Sequence, residues 1–160
     1  MKKIFFATPI GSVDSKEYQR SNKIVEAITN ILEQIEDDLE LIRVDKIFKP
    51  NNITETIKQE IAESNFIIAD ISNHNPNVYY ELGYATGLQK TCIQIAEKSN
   101  KNLPFDVAQI NTIFYDLDDI KSLKFQLEEM IKYVLSNPSE RHLTFSGPVV
   151  RKVEVDDEDL

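Results

Sequence analysis

Apolar residues are distributed along the chain in two alternating patterns. Short, nearly continuous apolar runs occur at 4–7 and 66–69, whereas segments such as 24–35 carry apolar residues at every third or fourth position. Continuous runs of this length are typical of buried strands, and the wider spacing is typical of one face of a helix. The pattern therefore predicts strands and helices in alternation.

The alternation predicts five strands and four main helices. The strands are expected at 3–7, 39–44, 66–71, 91–96 and 112–115, and the helices at 15–36, 52–64, from 75 to between 87 and 90, and at 118–135. Strands separated by helices favour parallel pairing with right-handed crossovers. We therefore expect an α/β fold, a doubly wound five-stranded parallel sheet in a Rossmann/flavodoxin-like three-layer sandwich of strand order 2-1-3-4-5.

In a sheet of this order, ligands bind at the carboxyl ends of the strands where the order reverses. That point lies between strands one and three, where segments 7–11 and 70–75 end. The turn Thr8-Pro9-Ile10-Gly11 can offer backbone amides to a ligand. Asp70, at the end of strand three, can either bond ribose hydroxyls or cap its own turn.

A helix start follows the third strand. Asn75 can accept hydrogen bonds from free backbone amides, and Pro76 loses none at the first helical position. Asn77 and Glu81 then lie on one stripe of the helix. The helix dipole is expected to favour ionised Glu81, which could attack or stabilise a sugar carbon of oxocarbenium character. The alternative is that Glu81 only complements the dipole on an exposed face.

Composition narrows the class of partner. The net charge is −9, and residues 153–160 contribute five acidic side chains without a base. Such a tail argues against duplex nucleic acid, whose binding depends on Lys and Arg. No apolar run approaches the roughly 20 residues of a membrane span, and no signal peptide is evident. We expect a cytoplasmic protein with a domain at 1–138 and a C-terminal extension at 139–160 whose acidic tail is disordered.

Cofactor and metal motifs are absent from the sequence. The single cysteine, Cys92, excludes an internal disulfide and a multi-thiolate site, and it falls in a strand expected to be buried. Neither the Walker pattern nor G-x-G-x-x-G occurs. Two histidines with no carboxylate at ligand spacing predict no metal site. We therefore expect neither metal nor cofactor.

Two neighbouring segments resemble a known family. Residues 68–72 (IADIS) and 75–85 (NPNVYYELGYA) are similar to the nucleoside 2-deoxyribosyltransferase superfamily, including bacterial relatives described as TIR-like or nucleotide-binding. Residues 103–106 (LPFD), before the fifth strand, fit the same group. The resemblance covers residues 3–135 and implies a Rossmann-like sheet.

The resemblance also implies an activity and a set of site residues. Members cleave N-glycosidic bonds of nucleosides, nucleotides or, in the TIR branch, NAD, and the matching glutamate, Glu81, would be the nucleophile. By the same resemblance, Ala7, Thr8, Pro9, Ile10 and Gly11 would line the sugar or phosphate pocket. From their place in the predicted crevice, we expect Asp70 to assist catalysis by positioning the sugar and base together with Asn77. Further substrate contacts are expected from Asn75, Phe105 and Asp106. Members commonly form dimers with shared sites, so a homodimer or higher homo-oligomer is expected.

One departure from the family keeps the reaction open. Transferases of the family carry an aspartate in the helix before strand three, where it acts on the base. Residues 54–65 here contain glutamates but no aspartate. Transfer, hydrolysis and binding without cleavage, as in a nucleotide-sensing module of a defence or signalling system, therefore stay open as alternatives.

Overall fold

The parallel sheet is built from five strands that follow the predicted pattern. The computed structural model describes residues 1–35, 38–46, 53–99 and 112–138. Its strands are β1 Lys2–Ala7, β2 Leu39–Arg43, β3 Phe66–Asp70, β4 Thr91–Glu97 and β5 Thr112–Tyr115, and its helices are α1 Lys16–Glu33, α2 Ile53–Glu63, α3 Pro76–Gly87 and α4 Ile120–Ser136. All strand pairs are parallel, in the order β2-β1-β3-β4-β5. The predicted fold and strand order are confirmed.

Side chains of the central strand alternate between the two helical layers. Phe66 and Ile68 of β3 pack into the core beneath α1 and α4, whereas Ile67 and Ala69 pack into the core beneath α2 and α3. Every residue of β3 is buried, as expected of a strand inside a parallel sheet. The alternation fixes which layer each residue at a strand end faces.

Two strands end earlier than the apolar pattern predicts. β2 stops at Arg43 because Val44–Lys46 form a 3₁₀ turn. β3 stops at Asp70 because its carboxylate accepts the backbone N–H of Ser72 at 3.1 Å, which turns the chain out of the sheet. At the end of β3, a short polar side chain that bonds its own backbone thus sets both the turn and the strand end.

Three parts of the predicted organisation lie outside the described residues. They are the Asn52 cap of α2, the segment that carries Phe105 and Asp106, and the C-terminal extension at 139–160. Within the residues that the structure does describe, no helix combines the length and apolar character needed to cross a membrane.

Candidate active site

A cavity of about 710 Å³ opens at the carboxyl ends of the strands. It lies between the turn after β1, the end of β2 and the facing surfaces of α2 and α3. The described residues that line it are Thr8, Pro9, Ile10, Gly11, Val44, Ile53, Thr54, Ile57, Asn75, Asn77, Tyr80 and Glu81. The structure therefore brings most of the sequence-predicted site residues into one space, at the switch point that the strand order indicates.

Glu81 is the one carboxylate among these lining residues. Its side chain is 9% exposed, and it makes no hydrogen bond or ion pair with another described residue. Burial raises the pKa of Glu81 to about 7, from an ordinary value of 4.5. Desolvation disfavours the charged form of a carboxyl group, so this group titrates near neutral pH.

This pKa corrects the expectation that the helix dipole keeps Glu81 ionised. The first turn of α3 contains no acidic residue, and Glu81 lies beyond it. The influence of the dipole falls off within that first turn. Burial among the apolar side chains of the α3 face therefore outweighs it, and Val78 and Leu82 flank Glu81 on that buried surface.

The start of α3 is built as predicted. The Asn75 side chain accepts the backbone N–H groups of Asn77 at 3.0 Å and Val78 at 3.1 Å, and Pro76 occupies the first turn. Val78, Leu82 and Ala85 anchor the helix against the sheet. Cap and anchor together hold the Glu81 carboxylate at the cavity.

The turn after β1 is braced by a buried polar network. The Thr8 hydroxyl lies 3.0 Å from Ser21 Oγ, and Ser21 Oγ also accepts Arg43 Nη1 at 2.8 Å. Arg43 in turn forms a bidentate pair with Asp45 at 2.7 and 2.8 Å. The sequence interpretation missed Ser21 and Arg43. A charged residue at the end of the half-buried edge strand β2, with an acid two positions on, was the available signal.

Asp70 does not belong to the residues that line the cavity. Its side chain is fully buried and lies on the α1 side of the sheet. Asp70 Oδ1 accepts Ser72 Oγ at 2.6 Å, and Oδ2 accepts the Tyr115 hydroxyl at 2.8 Å. Arg20 Nε lies 3.7 Å from Oδ2.

Burial raises the pKa of Asp70, and the bonds from Ser72 and Tyr115, followed by the Arg20 charge, oppose that rise. The side chain is thus engaged within the protein and has no path to a ligand in the cavity. Direct contact between Asp70 and a sugar, as the sequence suggested, does not fit this geometry. The alternative, in which Asp70 caps its own turn, does fit, because Asp70 Oδ1 accepts the backbone N–H of Ser72.

Ala7 is also placed away from the cavity. It is buried in the core beneath α2 and α3, so only Thr8 to Gly11 of that predicted turn reach the open space. Phe105 and Asp106 lie outside the described residues, and their predicted contacts stay predictions. Among the described residues, no group of three histidine, cysteine or acidic side chains is placed to hold a metal ion.

The α2 wall of the cavity carries no acid. Ile53, Thr54 and Ile57 face the open space, whereas the glutamates of this helix do not line it. The opposite rim is formed by Tyr80, which is 54% exposed. Tyr80 is hydrogen-bonded to Lys58, a residue outside the lining set. No lysine, arginine or histidine is present among the described lining residues.

Comparisons with known proteins identify the fold. No protein-family model matches the chain, and no curated protein sequence matches it. Among solved structures, the CMP N-glycosidase BcmB of Clostridium botulinum aligns at a TM-score of 0.60 with 18% identity, over 81% of this chain and 99% of that one. A 2-deoxyribosyltransferase from Bacillus psychrosaccharolyticus aligns at 0.56 with 11% identity, over 79% and 95%.

A third similar structure shows how far this likeness reaches. An NADH:FMN oxidoreductase, EmoB, aligns at a TM-score of 0.58 with 14% identity, over 89% of this chain and 94% of its own. The chain thus shares its fold with an N-glycosidase, a deoxyribosyltransferase and a flavin enzyme. The fold implied by the resemblance is confirmed. Because one fold can carry different activities, the activity depends on the residues of the cavity.

Proposed function

We propose that this chain cleaves or transfers the N-glycosidic bond of a nucleoside or nucleotide, with Glu81 as the nucleophile. The observation that carries the proposal is the Glu81 carboxylate. It is desolvated, has no partner among the described residues, and borders a cavity at the switch point of the sheet. A buried carboxyl group without a partner is costly to keep, which favours a functional reason for its position.

The proposed reaction depends on the ionised form of the Glu81 carboxylate. Ionised Glu81 attacks C1′ of the sugar while the electron pair of the C1′–N bond leaves with the base, through an oxocarbenium-like transition state. Water or an acceptor base then attacks C1′ and releases Glu81 as a carboxylate. Poor solvation keeps the attacking oxygen reactive, and a pKa of about 7 leaves a substantial ionised fraction at neutral pH.

Other lining residues suit the sugar and the base. The backbone of the β1 turn and the side chain of Asn77 offer hydrogen-bond groups for sugar hydroxyls or a phosphate. Ile53 and Ile57 form an apolar wall opposite α3, against which a flat base can pack. Asp70 acts through the loop before α3, as a positioning residue.

Release of free base tests the proposal. Purified protein is incubated with nucleosides, nucleoside monophosphates and NAD, and free base is followed by chromatography. We expect release from at least one substrate and a loss of at least 100-fold in the Glu81→Gln variant, the order that removal of a nucleophile produces. The exposed Glu129 of α4 provides the matched control, because Glu129→Gln removes the same charge away from the cavity. Release that is equal in E81Q and E129Q would refute the role of Glu81.

A second candidate function is nucleotide sensing without cleavage. It is favoured by one observation, that no carboxylate of α2 faces the cavity to act on a base. A sensor would bind a nucleotide, leave it intact and change oligomeric state. Calorimetry combined with recovery of the intact ligand, and sedimentation with and without it, separates this candidate from an enzyme. The same sedimentation run tests the predicted homodimer or higher homo-oligomer.

A further inference from the structure

Cleavage of an N-glycosidic bond raises the question of how the base leaves. A neutral base attached through an uncharged nitrogen departs as an anion unless a general acid protonates it. Such acids contribute roughly 100-fold to 10,000-fold to rate. The lining of the cavity therefore bears on which bases can leave.

The described lining offers one carboxylate, and the proposed function already uses it. On α2, which faces Glu81 across the cavity, the lining positions are Ile53, Thr54 and Ile57, and none of these is an acid at neutral pH. The Thr8 hydroxyl already donates a hydrogen bond to Ser21 Oγ. Asn75 and Asn77 carry amides, which do not exchange protons in this range.

The charge of the described lining residues also affects which base the cavity can hold. Ionised Glu81 adds a negative charge to a space whose described walls carry no cationic side chain. Arg43 is close to the β1 turn, but it is engaged by Asp45 and Ser21. Lys58 contacts Tyr80 and is paired with Glu55 at 3.5 Å. The exposed ring of Tyr80 can attract a cation through its face.

We infer that the preferred substrates are nucleosides or nucleotides whose base carries a positive charge at the glycosidic linkage, such as a pyridinium or an N7-alkylated purine. This inference rests on the proposed function and narrows its substrate class. When the C1′–N bond breaks, its electron pair neutralises the cationic ring, and the base leaves as a neutral molecule without taking up a proton. Water then releases the sugar from Glu81, and one proton passes to solvent.

Two pairs of substrates separate the effect of the charge on the base from the effect of its shape. 7-Methylguanosine is compared with guanosine, and nicotinamide riboside with its reduced, uncharged dihydro form. For each pair we measure kcat/KM from base release. We expect the cationic member to exceed its neutral partner by at least about 100-fold, because no acid besides Glu81 is present among the described lining residues and a general acid contributes at least roughly that factor. The ratio is expected to be unchanged in Glu129→Gln, and both activities are expected to be lost in Glu81→Gln.

Cationic nucleosides are intrinsically more labile, so a variant that supplies an acid is needed. Thr54→Asp places a carboxyl group on the α2 wall, and Thr54→Asn places the same shape there without an acid. We expect T54D, and not T54N, to raise guanosine cleavage at least tenfold relative to 7-methylguanosine. A gain that T54N shares would show that shape and not proton donation limits the reaction, which would overturn the inference.

The phenol of Tyr80 is the remaining proton source among the described lining residues. If Tyr80→Phe lowers guanosine cleavage and leaves 7-methylguanosine cleavage unchanged, the cavity has an acid and the inference fails. Comparable kcat/KM for both members of each pair in the wild type would also overturn it, while the proposed function stands. Absence of cleavage with all four compounds and with the nucleotides and NAD of the previous test would instead refute the proposed function itself.

Discussion

Thr8 and Asp70 follow residues that are paired in register on adjacent strands, yet only Thr8 lines the cavity. Ala7 of β1 lies opposite Ala69 of β3, so the next residue of each strand occupies an equivalent position. Both side chains turn toward α1, where Thr8 bonds Ser21 and Asp70 lies beside Arg20. Thr8 belongs to an open turn, whereas Asp70 is covered on all sides. Asp70 therefore bonds within the protein, at the start of the loop that leads to α3.

Removal of the Asp70 carboxylate is expected to act on stability before it acts on chemistry. Asp70→Ala removes the acceptor of the Ser72 and Tyr115 hydroxyls and one of the two carboxylates beside buried Arg20, the other being Glu97 at 3.3 Å. Breaking such a buried pair costs about 3–5 kcal/mol of unfolding free energy, which urea denaturation measures. Asp70→Asn keeps the shape and is expected to lose less. Lost activity with unchanged stability in D70A would instead assign Asp70 a catalytic role.

The activity is expected to rise with pH through neutrality. The nucleophile must be ionised, and burial raises the pKa of Glu81 to about 7. The profile of kcat/KM should therefore climb tenfold per pH unit below that value and level off above it. Initial rates of base release between pH 5 and 9 measure the profile. A rate that stays level down to pH 5 would show that a group with an ordinary carboxyl pKa carries the reaction.

Replacement of Glu81 is expected to stabilise the protein at alkaline pH. The folded-state pKa of about 7 exceeds the ordinary 4.5, so ionisation of this group opposes folding. The loss is absent below pH 4.5, develops as the pH rises and is complete above 7, where it approaches ~3 kcal/mol. Glu81→Gln should therefore gain up to about this amount at pH 8 and little at pH 4.5. Denaturation curves at both pH values test this, and an equal effect at both would contradict it.

The β1 turn is expected to tolerate no side chain at Gly11. Its φ is +60°, and a Cβ there would lie 2.6 Å from Ser15 Oγ, whose side chain caps α1. Gly11→Ala should lower stability by roughly 1–2 kcal/mol and weaken ligand binding because the turn must shift. Gly83→Ala serves as the control, since nothing lies within 4 Å of its Cβ position and alanine favours a helix. Similar losses in both variants would contradict the role of the turn.

Much of the fold was predictable because burial and periodicity determine it. Apolar runs such as 66–69 and the cap at Asn75 depend on local sequence, and the strand order followed from the alternation of elements. The pattern also located Glu81. What it could not provide was the environment of that group, because its desolvation depends on how α3 packs against the sheet and beside segments distant in sequence, such as the turn after β1 and α2.

The placement of Asp70 illustrates the same limit. Its position at a strand end was evident from the sequence. The direction of its side chain depends on which helical layer covers that face of β3, and the sequence does not show this. Parity along β3 places Asp70 with Ile68 on the α1 side. Its partner Tyr115 lies 45 positions away, on a different strand. Neither the ion pair with Arg20 nor the hydrogen bond from Tyr115 leaves a local signature in the sequence.

Covalent trapping tests the role of Glu81 most directly. The protein is incubated with a 2′-deoxy-2′-fluoro analogue of the nucleoside it cleaves best, because the fluorine slows release of a glycosyl intermediate. Peptide mass spectrometry then locates the bound sugar. The proposed mechanism predicts a fluorosugar ester on Glu81, formed together with one equivalent of free base and absent in Glu81→Gln. An adduct on a different residue, or a burst of base release that persists in E81Q, would contradict it.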